Sequence, residues 1–166
     1  PVATSSAASI VHLSAHGVRD CLVLEDGQGT AHFLSCEMLR RMLDLRNEAG
    51  GLTSASPRLV ILNACSLHAV GAQFVQGGVP HVICSSADLR DSASLVFLRN
   101  LYSNLFQGSS VARAFDAARV ALRSDAEAST RAAADHFVLL PEGSPHTEVL
   151  FDPEWTAPAS DSPVSA

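Results

Sequence analysis

Two side chains in this sequence have the type and placement to do chemistry together, His16 and Cys65. His16 follows the apolar run Ile10-Val11-His12-Leu13 and is followed by Gly17; Cys65 follows Leu59-Val60-Ile61-Leu62 and Asn63-Ala64. A thiol attacks a carbonyl well only as its thiolate, and a neighbouring imidazole is the usual means of taking the proton or stabilising the anion. Each run reads as a buried strand of β-branched and aliphatic residues. Two parallel neighbours in an open α/β sheet would bring the residues at their carboxyl ends together, where such sheets bind ligands. Gly17 lets the backbone approach a substrate closely, so its N–H and that of Cys65 could both donate to a developing oxyanion. A helix opening just after Cys65 would add its positive end, which favours a thiolate.

Each of these residues also has an ordinary reading. A cysteine at the end of an apolar strand is commonly a small core residue. His12, four positions before His16, reads as a satisfied core or sheet-face histidine. A metal site built on His12 and His16 lacks an acidic or cysteine partner at ligand spacing, so neither metal nor cofactor is expected. Cys84, near another strand end, reads as a buried small hydrophobe, and Asp88 and Asp91 beyond it read as helix caps that lie near enough to approach a cleft.

The elements that must position these groups fit one domain. The chain has 166 residues, 47% hydrophobic and only 17% charged, which excludes a disordered body. The net charge of −6 gives no basic footprint for nucleic acid. Every positive charge is an arginine, so a Walker-type phosphate loop and a Schiff-base mechanism are both ruled out. No apolar stretch is long enough to cross a bilayer, and the start lacks the basic-then-apolar pattern of a secretory signal. Cys21, Cys36, Cys65 and Cys84 are widely spaced, with no Cys-x-x-Cys pair, which suits reduced thiols and a cytoplasmic location.

Along the chain, residues 1–8 read as linker, 9–155 as the domain and 156–166 as a flexible tail, the two ends being rich in Ser, Ala and Pro. Strands are expected at 10–13, 21–24, 31–34, 59–62, 79–85 and 136–140. Residues 25–29 form a hairpin turn. Helices are expected from Ser35 to about 47, with Met38, Leu39, Met42 and Leu43 on one face and Gly50-Gly51 as the stop, and over 67–76. A helix capped by Asp91 carries Leu95, Leu98, Tyr102 and Leu105, and one opened by Ser109 carries Val111, Ala114, Phe115, Ala118 and Leu122. Strands alternating with helices predict an α/β fold with a mainly parallel sheet covered on both faces.

His12-Leu-Ser-Ala-His-Gly17 and Leu59-Val-Ile-Leu-Asn-Ala-Cys-Ser66 resemble the two signature segments of the CHAT domain, a caspase-like cysteine peptidase family related to caspases, separases and gingipains. The likeness continues through Gly78-Val79-Pro80-His81-Val82-Ile83, through Asp91, Phe97, Tyr102, Gly108, Val111 and Arg119, and ends in His136-Phe137-Val138-Leu139-Leu140. The resemblance implies a caspase-like sheet and a cysteine endopeptidase in which Cys65 is the nucleophile, His16 the acid for the leaving amine and Gly17 an oxyanion donor. It implies a protein or peptide substrate and flanking helical-repeat or other regulatory domains within a longer polypeptide. Domains of this fold carry two strands ahead of the His strand, so the sheet is expected to lack its first two. The region that would supply part of the substrate pocket is then missing, and the residue that reads the side chain before the scissile bond is left unassigned. Two other readings stay open: an inactive CHAT-like binding or scaffold module, and a different cysteine-dependent α/β hydrolase, although no Gly-x-Cys-x-Gly elbow is present.

Overall fold

Leu59, Val60, Ile61 and Leu62 are all buried, and they divide by the two-residue period of a strand. Leu59 and Ile61 enter one core cluster, Val60 and Leu62 another. A strand apolar on both faces needs cover on both, and this one has it. The computed structural model describes residues 10–18, 21–48 and 57–151; the expected linker at 1–8, the tail at 156–166 and the Gly50-Gly51 helix stop lie outside them.

Four strands form the main sheet, β1 (Ile10–Ser14), β5 (Leu59–Asn63), β6 (His81–Ser85) and β7 (Phe137–Leu140), in the order β1-β5-β6-β7. The first two pairings are parallel, with Ser14 opposite Asn63, and β7 runs antiparallel to β6. A separate antiparallel sheet of β2 (His16–Val18), β3 (Cys21–Glu25) and β4 (Ala31–Ser35) follows β1 directly. The fold is thus α/β with a mostly parallel mixed sheet flanked by helices, as expected. Among the described residues β1 is an edge strand of the main sheet.

One face is covered by α3 (Asp91–Phe106) and α4 (Val111–Arg123), packed through Phe97, which stacks on Phe137 at 3.7 Å and meets Phe115 edge-on. The other is covered by α1 (Cys36–Glu48) and α2 (His68–Gln76), with Leu22 and Leu39 buried beneath. Gly71 of α2 sits so close to β6 that an added Cβ would lie 3.0 Å from Cys84 Sγ and 3.1 Å from Leu140 Cδ1. The short α5 (Ala128–Ala133) leads into β7. Among the described residues no helix is long and apolar enough to cross a membrane.

Several local expectations hold and others shift. Ser35 accepts from the Met38 N–H at 3.2 Å at the start of α1, and the Asp26 carboxylate accepts from Gln28 and Thr30 N–H in the hairpin turn. All five residues expected on the α4 stripe are buried, although its cap is Ser110 rather than Ser109. The α3 stripe is rotated: Ala93, Ser94, Phe97, Leu101 and Leu105 face inward, and Leu95 is 68% exposed. Phe97 sets this phase, because its ring fills the gap between α4 and β7. Met38 and Met42 also lie outside, while Leu39 is buried and Leu43 packs partly buried against the same cluster. The N-cap of α3 is Arg90, so Asp91 is its first helical residue and not the expected cap.

The segment after β7 is fastened to the far end of the sheet by a buried chain of rings. His146 Nε2 lies 3.1 Å from the Pro141 carbonyl, His146 Nδ1 2.7 Å from His81 Nδ1, and His81 Nε2 3.0 Å from Glu148 Oε2. A carbonyl only accepts, so His146 donates from Nε2; its neutral Nδ1 then accepts from His81. Burial moves the His146 pKa below its ordinary value, against the smaller opposing effect of the Pro141 hydrogen bond, and the neighbouring His81 adds a lesser push downward.

Candidate active site

Asn63 ends β5, and the chain turns through Ala64, Cys65 and Ser66 before α2. α2 begins at His68 with Leu67 as its N-cap, three residues beyond Cys65, so the helix does not open directly on the thiol as expected. The turn is held open by two backbone bonds: Ser66 N–H donates to the Ala87 carbonyl at 3.4 Å and Leu67 N–H to the Ser85 carbonyl at 3.0 Å. Ser66 itself has φ +51, a left-handed conformation that a residue with a side chain adopts at a cost of about 1–3 kcal/mol. Its hydroxyl donates to Asp88 Oδ1 at 3.0 Å, which fixes the strained residue next to Cys65.

On the neighbouring strand, Ser14 and Asn63 lie in register, and the Asn63 amide donates to the Ser14 hydroxyl at 3.1 Å. Ala15 N–H still donates to the Asn63 carbonyl at 3.3 Å, so the pairing continues to the doorstep of His16. There the chain leaves the main sheet and β2 begins. His16 is therefore the first residue of a second strand, and Gly17 is the second. A Cβ built on Gly17 would overlap the carbonyl oxygen of Cys65 and lie 3.0 Å from Leu67 Cδ2. The two signature segments are thus in backbone contact, and glycine is required for it.

His16 and Cys65 line one cleft of about 380 Å³, together with Ser14, Asn63, Ser85 and Asp91. Its walls also include Leu89, Ser94 and Phe137. The cleft lies across the carboxyl ends of the parallel strands, where a sheet of this kind binds its ligands. The family model of the CHAT domain matches residues 2–156. The chain belongs to the CHAT family. No curated protein matches it. The CHAT domain is a caspase-like, peptidase-related module, and the mixed, mostly parallel sheet seen here is compatible with that fold.

Within this CHAT domain the other flagged residues separate cleanly. Asp88 is engaged by Ser66 and does not line the cleft, whereas Asp91, exposed at the start of α3, does. His12 sits outside the cleft with Nδ1 3.0 Å from the Tyr102 hydroxyl, and burial holds its pKa below the ordinary value. Cys84 is fully buried, and desolvation, with Glu142 adding to it, pushes its thiol up to about 12; it is the small core residue expected. Among the described residues no group of three or more potential ligands is placed to hold a metal. Sequence reasoning missed the buried hydroxyls of Ser85 and Ser94 in the cleft wall. Ser85 ends an apolar strand just as Cys65 follows one, which was a readable signal; Ser94 became visible only once the phase of α3 was known.

Proposed function

We propose that this CHAT domain is a cysteine endopeptidase acting on protein or peptide substrates, as a module of a larger polypeptide. The observation that carries the reading is that His16 and Cys65 line one cleft while the Gly17 backbone lies against the Cys65 carbonyl. In the reaction, the Cys65 thiolate sulfur adds to the carbonyl carbon of the scissile peptide bond. The backbone N–H groups of Gly17 and Cys65 receive the negative charge on the tetrahedral oxygen. Collapse of that intermediate expels the amine, which takes a proton from His16, and leaves an acyl-thioester on Cys65. Water then releases the acid and restores the thiol.

Asp91 gives the cleft a carboxylate, and Ser85 and Ser94 add hydroxyls to its lining. That combination suits a basic side chain immediately before the scissile bond. The proposed steps call on no metal or cofactor, and cysteines spaced without a Cys-x-x-Cys pair suit a reducing, cytoplasmic setting. The test is cleavage of a diverse peptide library by the parent protein and by Cys65→Ala. Products formed by the parent alone support the reading; identical product sets, or none, overturn it.

A further inference from the structure

The register of the small sheet carries the proposed leaving-group acid onto a surface that the cleft does not use. His16 pairs with Val23, and Val23 pairs with Phe33. Directly opposed residues of an antiparallel ladder project to the same face, with neighbouring Cβ atoms about 5 Å apart. His16, Val23 and Phe33 therefore form one row. The intervening positions, Gly17, Leu22 and Leu34, form the opposite face, which turns inward: Gly17 meets the Cys65 carbonyl, and Leu22 is fully buried in the core.

The outward face is unusually apolar for a strand surface open to water, where polar residues ordinarily alternate with the buried ones. Phe33 is 55% exposed, and Val18, two residues on from His16 on the same face, is 48% exposed. Cys21, Val23 and Ala31 extend it, and the polar residues of this face, Ser35 opposite Cys21 and Glu25 opposite Ala31, stand at its two ends, off the His16–Val23–Phe33 row. The patch is continuous with the cleft through His16 itself, which belongs to both.

Strand order gives this patch a direction. In the main sheet β1 lies on one side of β5, with β6 and β7 on the other, and the chain passes from β1 directly into β2. Ser85 and Phe137, from those latter strands, line the cleft, as do Asp91 and Ser94 of α3. A substrate carbonyl over Cys65 then has its acyl half toward β6 and its amine half toward His16. Two strand spacings carry the row about 10 Å from His16 to Phe33, the reach of about three residues of extended chain.

We propose that the His16–Val23–Phe33 row is the subsite for the leaving half of the substrate, and that the protein selects peptides with apolar side chains in the first three positions after the scissile bond. This rests on the peptidase reading, because it takes its direction from proton delivery by His16. Apolar residues there cover Phe33 and Val23 and remove their surface from water, and the same apolar surface gives nothing to an acidic or hydroxylated segment. The residue before the bond faces the Asp91 side of the cleft, so the two halves of the substrate are read by different chemistry.

The test uses two peptides with the same acyl half, ending in Arg, followed by Leu-Phe-Val or by Ser-Asp-Ser. With the parent protein, kcat/KM for the apolar peptide is expected to be about tenfold higher, a size reached by modest differences in apolar contact. Phe33→Ser is expected to bring the ratio to about one, and Phe33→Leu to restore most of it. Turnover of both peptides at one rate by the parent, or a ratio unchanged by Phe33→Ser, overturns the subsite while leaving the peptidase reading intact. A second arm does not require turnover: Cys65→Ala is titrated with the same two peptides, labelled, by fluorescence anisotropy. Tighter binding of the apolar peptide that is lost with Phe33→Ser, without cleavage by the parent, supports an apolar peptide site on this row and overturns both the peptidase reading and the assignment of the row to a leaving half. Equal binding of both peptides overturns the subsite.

Discussion

The α-carbon of Gly17 faces the carbonyl oxygen of Cys65 so closely that a single added methyl group would overlap it. The contact joins the residue after the candidate acid to the peptide of the candidate nucleophile, across two elements separated by the whole hairpin and α1. It ties the geometry of the site to the absence of one side chain. Gly17→Ala is therefore expected to push β2 away from the Cys65 turn. Overpacking of a well-filled site costs about 1–3 kcal/mol, and a clash against backbone belongs at the upper end. Thermal or urea unfolding measures the loss, and peptide cleavage is expected to fall further than folded protein does. An alanine variant of parental stability would show that the two segments are not in this contact.

Ser66 and Asp88 make the second prediction. The left-handed φ of Ser66 is anchored by its bond to Asp88. Glycine tolerates that conformation without penalty, so Ser66→Gly is expected to keep the turn despite losing the hydroxyl, with stability within about 1 kcal/mol of the parent. Asp88→Ala leaves the strained residue without its anchor and is expected to lower both stability and turnover. Denaturant titration of the two variants checks the order; a larger loss for Ser66→Gly than for Asp88→Ala would contradict it.

Asp91 makes a prediction about the acyl half of the substrate. Asp91→Asn keeps the shape of the first turn of α3 and removes the charge. It is expected to reduce kcat/KM for peptides with Arg before the scissile bond by about tenfold or more, and to change those with Leu there little. Paired kinetics on the two peptides read this directly. A loss common to both would place Asp91 in the structure of the site and not in its choice of substrate.

The His146–His81–Glu148 chain predicts a stability that falls in acid. The folded protein holds His146 neutral, with its pKa below the ordinary value of 6.5, chiefly because it is buried. The unfolded chain takes up the proton first as pH falls, so the contribution is complete above about pH 6.5 and is lost as pH drops through the lower folded value. Protonation also removes the lone pair with which His146 accepts from His81. Melting temperature measured from pH 8 to pH 5 is expected to decline less for His146→Gln than for the parent. Parallel curves would show that this histidine does not carry the dependence.

How much of this was legible beforehand follows from where the signal is local. The β5 strand was readable because Leu59 to Leu62 are buried on both faces, and burial on both faces leaves a continuous apolar run. The α4 stripe was readable because every inward position holds Val, Ala, Phe or Leu at helical spacing. The α3 stripe was misread because Leu95 and Leu98 offer an equally good period, and only the stack of Phe97 on Phe137, forty residues away, decides between them. Likewise β2 is three residues long and polar at its start, so its pairing with β3 is a tertiary fact. His16, Gly17 and Cys65 stand out in the sequence by type and position. That Gly17 touches Cys65 does not, since backbone proximity leaves no trace in sequence except the glycine itself.

The central claim is that Cys65 becomes acylated by the peptide it cuts. Acid-quenched intact-mass measurement on the parent protein, mixed with an Arg-containing peptide ester and sampled within the first turnovers, tests it most directly. The expected result is a mass increase equal to the acyl half, mapped to Cys65 after digestion and absent from Cys65→Ala. Turnover with no such adduct, or an adduct that persists in Cys65→Ala, would contradict the account.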